Sequence, residues 1–231
     1  RYDGSSKFPK KNRFGFFPSA SIGWQIAEEK FMQSTRDWLG SLKLRASYGE
    51  IGNQNISSYM YTPTLSISNS YKGWLNNGEF TTAIIDLPAM VSNSFTWEVV
   101  KTFNIGLDFS MFNNRLTGVL EYFQRDTEGM LAPGMELPGV VGASAPYQNT
   151  ADMRTKGWEI NLNWRDWIGR AGYRIGLNLS DSKSKISNYD SNESKLLTTY
   201  YEGQELGEIW GYIVDDFYTA NDFESTDSWI L

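Results

Sequence analysis

Carboxylates are the side chains of this 231-residue chain with the most obvious capacity for chemistry. Asp181, the pair Asp190 and Glu193, and the adjacent Asp215 and Asp216 supply the oxygen ligands that calcium prefers. Their spacing does not match an EF-hand loop, so we favour solvated loop charge over a cation site. The sequence does not show which carboxylates face each other, and no pair for glycoside hydrolysis can be assigned. We therefore predict no catalytic and no metal-binding residues.

Two residue types are missing from the chain, which narrows the chemistry further. The absence of histidine and cysteine excludes imidazole metal ligands, a Ser-His-Asp triad, thiolate zinc sites and disulfide bonds. The 27 acidic residues exceed the 21 basic residues and give a net charge of −6, which argues against a nucleic-acid partner. We predict that the chain is not an enzyme, uses no cofactor and binds no nucleic acid.

Aromatic residues in one long segment are the candidates for binding. Tyr59, Tyr61, Tyr71 and Trp74 could stack on sugar rings or pack against a protein that covers the segment. The alternative is that these rings only hold the segment together. We name the four residues as a substrate-binding hypothesis.

Alternation of apolar and polar residues is the dominant pattern along the chain. A period of two predicts β-strands with one apolar face. No comparable run has helical spacing, so the sequence predicts an all-β fold. Six runs carry the pattern: Pro18–Ile26, Leu42–Gly49, Lys101–Phe112, Leu116–Phe123, Trp158–Arg165 and Tyr173–Ser180.

The connections between these runs are alternately short and long. Asn113–Asn114 predicts a tight hairpin because asparagine tolerates the left-handed backbone of such turns, and Asp166–Arg170 is also short. Ala27–Gly40 is a medium turn, with one helical turn expected around Thr35–Leu39. The connections Glu50–Phe95, Asp126–Met153 and the chain after Ser180 are much longer. In an antiparallel meander every long loop then lies at one end of the sheet, as in outer-membrane β-barrels.

The two faces of the predicted strands differ in charge. The apolar register of the five clean runs has no charged residue apart from Lys101 at the start of its run. Aromatic residues cluster near the strand ends, as in the aromatic girdles of membrane barrels: Phe16, Phe17 and Trp24; Phe103, Phe109 and Phe112; Trp158, Trp164 and Trp167; Tyr48, Tyr122 and Tyr173. A soluble β-sandwich also has alternating strands, but the asymmetry of the loops favours a barrel. Charged residues occupy the opposite register: Lys43, Arg45, Asp108, Glu159, Arg165 and Arg174.

Several short strings occur in a defined order along the chain. The first are Arg1–Phe8 (RYDGSSKF) and Asn12–Ser19 (NRFGFFPS). Leu42–Gly49 (LKLRASYG) follows, with Gly52-Asn53-Gln54 after it. The later strings are Trp97-Glu98, Asn104–Asp108 (NIGLD), Asn113–Leu116 (NNRL), Gly157–Glu159 and Gly207–Tyr212 (GEIWGY). Each is weak alone, but together and in this order they are specific, and they resemble SusC/RagA-type TonB-dependent outer-membrane transporters.

The resemblance implies a larger assembly than this chain. It implies a 22-stranded barrel that is filled by an N-terminal plug, and a segment before the plug that contacts TonB. A SusD-like lipoprotein covers the extracellular mouth, and the pair imports glycans or peptides across the outer membrane of a Gram-negative bacterium, with the long loops extracellular. The implied partners are this lipoprotein, TonB, outer-membrane lipid and an oligosaccharide or peptide cargo.

Residues 1–231 are expected to form part of one barrel domain, with six to eight strands, and without the plug domain and the closing strands. The open sheet edges should then pair with further strands. We expect no transmembrane helix, because no 18-residue window is predominantly apolar, and no signal peptide. The chain begins at Arg1, as a mature or excised segment would. Two alternatives remain at this point: a soluble or cell-surface β-rich binding or adhesion module, and a small self-contained outer-membrane barrel.

Overall fold

A computed structural model describes the chain except for residues 66, 69–74, 77, 81–83, 86–87, 93, 216 and 218–231. Its regular elements are β-strands and short 3-10 helices. The helices are Lys10–Asn12, Ile26–Glu28, Lys30–Thr35, Gly139–Val141 and Asp190–Asn192. In the described part of the chain, no helix is long and apolar enough to cross a membrane. The strands are β1 (Tyr2–Gly4), β2 (Phe14–Phe16), β3 (Ser19–Gln25), β4 (Leu39–Asn53), β5 (Ile67–Ser68), β6 (Leu75–Asn76), β7 (Glu79–Phe80), β8 (Ile84–Ile85), β9 (Glu98–Met111), β10 (Leu116–Pro133), β11 (Tyr147–Ile168) and β12 (Ala171–Tyr189).

One six-stranded sheet organises the molecule, with the order β12-β11-β10-β9-β4-β3 and antiparallel pairing throughout. All six predicted strands are present, and the predicted all-β antiparallel meander is confirmed. The sheet is open, since β3 and β12 are its edges and neither pairs with the other in the described part of the chain. A self-contained barrel would require these edges to meet.

Turns at one end of the sheet are short for identifiable backbone reasons. Phe112, Asn113 and Asn114 have φ values of 53°, 55° and 63°, which confirms the predicted left-handed hairpin. Gly169 has a φ of 62° between β11 and β12. The helical turn predicted at Thr35–Leu39 is wrong: the 3-10 turns lie earlier, at 26–28 and 30–35, and residues 36–38 form a plain turn.

At the opposite end the strands extend further than the alternation predicts. β10 continues to Pro133 and β11 begins at Tyr147, so the connection predicted at 126–153 shortens to 134–146. Cross-strand ion pairs replace the apolar pattern in this extension: Lys101 Nζ lies 2.5 Å from Glu128 Oε2, and Arg154 Nε lies 2.5 Å from Asp126 Oδ1. The backbone ladder therefore continues where the hydrophobic signal stops.

The apolar face of the sheet is continuous and lacks a covering layer among the described residues. Its exposed side chains include Ile22, at 72% exposure, and Ile175, at 63%. A β-sandwich would bury this face against a second sheet, so the sandwich alternative is not supported. One apolar rung of cross-strand neighbours crosses all six strands: Trp24, Leu44, Leu107, Leu120, Ile160 and Leu179.

The height of this apolar band suits a membrane. On β9 it runs from Phe103 to Met111, a rise of about 27 Å along the strand, or about 20 Å of depth at the strand tilt of membrane barrels. Aromatic residues border the band, with Tyr48, Phe103, Tyr122 and Trp158 towards the long loops. Phe112, Trp164 and Tyr173 lie towards the short turns, where Trp164 Nε1 donates to Tyr173 Oη at 3.3 Å.

Candidate functional site

The polar face of the sheet carries an ion cluster built from three adjacent strands. Arg45 on β4 places Nη2 2.6 Å from Glu121 Oε2 on β10 and Nε 3.3 Å from Asp108 Oδ1 on β9. Gly106 lies between them, and a Cβ there would come within 2.7 Å of Arg45 Cζ. The absent side chain at position 106 therefore leaves the space that the guanidinium occupies. All three charged side chains are 23–35% exposed, so the cluster is accessible from this face.

Amide side chains continue the same face towards β12. Asn161 donates to Asn178, and Asn163 donates to Asn161 at 2.6 Å. Glu159 is the cross-strand neighbour of Glu121 and has no ion-pair partner among the described residues. The face thus presents amides, carboxylates and a guanidinium, which can hydrogen-bond polar solutes.

An aromatic cluster anchors the 54–97 connection to the N-terminal segment at the long-loop end of the sheet. We call Phe8, Phe17, Phe95 and Trp97 the loop-base cluster, because they are 0%, 5%, 3% and 6% exposed and pack together at the long-loop end. Phe8 lies 4.8 Å from Trp97 and 5.9 Å from Phe95 between ring centroids. Phe17 was expected among the girdle aromatics, and that expectation is wrong, because its ring is buried against Trp97 at 5.4 Å.

Hydrogen bonds tie the N-terminal segment to this cluster and to both ends of the 54–97 connection. Asn12 Nδ2 donates to the carbonyl oxygens of Ser94 and Phe95 at 3.0 and 3.1 Å. Trp97 Nε1 donates to Arg13 O at 3.2 Å. Lys7 Nζ donates to Gln54 O and Ile56 O at 3.2 and 2.8 Å. The strings at Arg1–Phe8 and Asn12–Ser19 therefore serve a structural purpose at the loop bases.

A hollow of about 280 Å³ opens near the same end of the sheet, between β10, β11, β12 and the chain that follows β12. Ile186 and Met153, which are cross-strand neighbours, line it together with Leu206 and Tyr200. The following chain is held by Asn192, which donates to Leu196 O and Tyr200 O at 2.8 and 3.0 Å. Sequence reasoning missed this hollow, because it placed everything after Ser180 in an undivided loop.

Comparisons with known proteins decide the family. The family model described as "TonB dependent receptor-like, beta-barrel" matches residues 1–229. The chain belongs to the TonB-dependent receptor β-barrel family. It is 36% identical over 187 residues to TonB-dependent receptor P26 of Formosa agariphila, covering 80% of this chain and 18% of that protein. It is 34% identical over 200 residues to TonB-dependent receptor SusC of Bacteroides thetaiotaomicron, covering 83% and 19%.

Solved structures support the same membership in the TonB-dependent receptor family. The RagAB peptide transporter matches with a TM-score of 0.67 and 25% identity, over 82% of this chain and 20% of that one. The RagAB peptide importer in the closed-closed state matches with a TM-score of 0.66 and 26% identity, over 81% and 20%. The chain thus spans about a fifth of the length of these relatives.

Family membership confirms the resemblance seen in the sequence and the barrel interpretation of the sheet. Proteins of the TonB-dependent receptor family are β-barrels of the Gram-negative outer membrane, and the relatives named above are receptors and transporters. The alternative of a soluble adhesion module is not supported.

The four loop aromatics predicted to bind substrate are only partly visible in this TonB-dependent receptor chain. Tyr71 and Trp74 lie outside the described residues. Tyr61 packs 6.4 Å from Phe95 between ring centroids and donates to Ser6 O at 3.4 Å, which ties it to the loop-base cluster. Tyr59 lies 6.5 Å from Tyr61 and is 67% exposed, so its ring is free to meet a ligand.

The acidic residues first considered for calcium are dispersed. Asp181 lies on the apolar face of β12 opposite Trp158, Asp190 begins a 3-10 turn, and Asp216 lies outside the described residues. Among the residues that the structure describes, no three acidic side chains gather in a way that could hold a metal ion.

Proposed function

We propose that this chain is a wall segment of an outer-membrane importer of glycans or peptides that is energised through TonB and works with a SusD-like lipoprotein. The main support is the arrangement of the sheet, in which one apolar rung crosses six strands while the opposite face carries the Arg45 cluster and the asparagines. A barrel in a membrane needs an apolar exterior and can have a polar, water-filled interior.

The proposal assigns each end and edge of the sheet. The apolar face contacts lipid, the polar face lines the lumen, and the long loops are extracellular. The free edges of β3 and β12 pair with further strands of a single barrel domain, because unpaired edges are a liability for aggregation. Residues 1–231 then form one part of that domain, and plug and closing strands are supplied elsewhere. The segment guides cargo and performs no catalysis.

Peptide cargo is supported by solved structures, and glycan cargo rests on the resemblance to SusC/RagA-type transporters. SusC is similar over 83% of this chain, and the RagAB structures are of a peptide transporter and importer. The polar face suits either, since amides and carboxylates hydrogen-bond both sugar hydroxyls and peptide groups.

Uptake assays in the native bacterium test the proposed function. Deletion of the gene is expected to abolish growth on, and uptake of, one class among a panel of labelled oligosaccharides and oligopeptides. Deletion of TonB should abolish the same uptake, and a surface lipoprotein should co-purify with the complemented protein. Unchanged uptake of every panel member in both deletion strains would refute an importer function.

Exposed loop aromatics are proposed as cargo or lipoprotein contacts, and Tyr59 offers the sharpest test. Its φ of 62° is left-handed, so Tyr59→Asn removes the ring while keeping a residue that tolerates this backbone. We expect uptake at low cargo concentration to fall about fivefold, the equivalent of one lost stacking contact. Tyr59→Phe keeps the ring and should transport normally, and equal uptake by both variants would contradict the assignment.

A further inference from the structure

A patch of basic side chains lies on the apolar face, beyond the aromatic border at the long-loop end. We define the basic patch as Arg154, Lys156, Lys183 and Lys185. Lys156 and Lys183 are direct cross-strand neighbours, and so are Arg154 and Lys185 on the next rung. Like charges directly opposite each other on one face of a sheet are destabilising. A bound anion would relieve the repulsion at these two successive rungs.

Nearby carboxylates neutralise the positive charge of the basic patch only in part. Arg154 pairs with Asp126, while Lys183 and Lys185 share Glu205 at 3.5 and 3.8 Å. Lys156 has no ion-pair partner among the described residues, and the Arg154, Lys183 and Lys185 side chains are 50–65% exposed. Asp181 lies one rung nearer the apolar band, opposite Trp158. The four cations thus exceed these three carboxylates, and one of the three, Asp126, also faces Lys101 on β9.

On the same face, the corresponding rungs of β4, β9 and β10 carry three carboxylates and one lysine. Glu50, Lys101 and Asp126 are successive cross-strand neighbours with alternating charge, and Lys101 also pairs with Glu128. The excess of positive charge is therefore local to β11 and β12, where the side chains of the basic patch line a groove of about 560 Å³.

An apolar hollow adjoins this groove on the side of the membrane band. The hollow has a volume of about 410 Å³ and is lined by Leu107, Leu120 and Ile160 among others. Tyr122 and Trp158 line both the basic groove and the apolar hollow. A molecule with a negatively charged head and a hydrocarbon tail matches this continuous arrangement.

The depth of the basic patch in the proposed membrane indicates which charged group it meets. Aromatic girdles mark the headgroup level, and the basic patch begins one rung beyond Trp158, about 7 Å further along the strand. From these observations we propose that the basic patch binds the phosphate of an outer-leaflet lipid, with its acyl chains over Tyr122, Trp158 and the apolar hollow. This inference rests on the proposed membrane orientation and adds a specific lipid site to it.

Lipid titration of the full-length protein in a non-ionic detergent tests the site. Thermal unfolding, followed by tryptophan fluorescence, is measured against increasing dioleoyl phosphatidic acid, dioleoyl phosphatidylcholine or inorganic phosphate. Phosphatidic acid is expected to raise the unfolding temperature of the wild type, while the other two additives should not. For Lys156→Gln/Lys183→Gln, the apparent affinity for phosphatidic acid should fall about 25-fold, or about fivefold for each lysine.

Lys101→Gln is the matched control, since Lys101 lies at a similar height on the same face but is paired with Glu128. It should bind phosphatidic acid like the wild type. Without lipid, the double variant should be no less stable than the wild type, because it removes a like-charged rung.

Each of three results would overturn the lipid site: equal affinity in the wild type and the double variant, protection by inorganic phosphate alone, or a loss of stability in the double variant without lipid. A wild type that unfolds cooperatively in detergent but shows no preference for phosphatidic acid would refute this site and leave the proposed function standing, because the uptake assays test the importer independently.

Discussion

Phe8→Ala is expected to lower the free energy of unfolding by about 3–5 kcal/mol, the usual cost of truncating a buried phenylalanine. Phe8 is fully buried and contacts Phe95 and Trp97. Its removal leaves a cavity at the point where the N-terminal segment meets the two ends of the 54–97 connection, and the surrounding rings can relax only partially. Guanidinium unfolding of the detergent-solubilised protein measures the loss.

The same substitution should loosen the loops before the sheet unfolds. The loop-base cluster holds the connections to the barrel end, whereas the strand ladders do not depend on it. Limited proteolysis under native conditions is therefore expected to cut the 54–97 connection faster in Phe8→Ala, with the strands still protected.

Phe14→Ala provides the matched control for this experiment. Phe14 lies six residues later in the same segment, is 61% exposed and stacks on Tyr2 at 5.3 Å between ring centroids. Its truncation should cost about 1 kcal/mol or less, because it loses one aromatic contact and buries little area. Equal destabilisation by the two substitutions would show that the loop-base cluster has no special stabilising role.

The cluster also shows where sequence reasoning stops. Phe8 and Phe17 could be noticed only as members of family strings, since neither lies in an alternating run. Their burial depends on Phe95 and Trp97, more than 75 residues away, and a single sequence contains no signal for that contact. Phe17 was grouped with Phe16 and Trp24 as a girdle residue near a strand end, but Pro18 separates it from β3 and its ring is buried in the loop-base cluster.

Strands and turns were predictable where one local rule applied. Alternation identified the strands because lipid and water demand opposite side chains on the two faces, and Asn113 and Asn114 identified a hairpin by their tolerance of positive φ. Beyond the apolar band this rule ends. Asp126, Glu128 and Arg154 lie in strands, but charged residues there resemble a loop until their cross-strand partners are known.

The same distinction applies to the candidate site, where strand parity predicts which face a residue occupies but not its cross-strand contacts. The polar register containing Arg45, Asp108 and Glu159 was assigned correctly because it follows from strand parity alone. The ion pairs of Arg45 were not predicted, since they require the registers of β4, β9 and β10 to be known together. Loop aromatics such as Tyr59 and Tyr61 could be named but not separated by role. Only the structure shows that Tyr61 packs on Phe95 while Tyr59 is exposed.

Leu120→Arg tests whether the apolar face contacts lipid. Leu120 lies on the central apolar rung, between Leu107 and Ile160, and so near the midplane of the proposed membrane band. An arginine there should make folding into a phosphatidylcholine bilayer less favourable by about 2–4 kcal/mol. Reversible guanidinium titration of the protein folded into large unilamellar vesicles measures the change.

Val119→Arg places the same charge one residue away on the opposite face, where Asp108 and Asn161 are the cross-strand neighbours. In a water-filled lumen an arginine beside Asp108 stays hydrated and gains a partner, so its effect should be about 1 kcal/mol or less. The two variants have the same net charge and carry the new guanidinium on the same strand, and they differ in the aliphatic residue replaced and in the face on which the guanidinium lies. If Val119→Arg proved as costly as Leu120→Arg, both faces would be dry and the proposed lumen would be wrong. If neither variant lost stability, no hydrocarbon would cover Leu120, and the membrane orientation of the sheet would have to be abandoned.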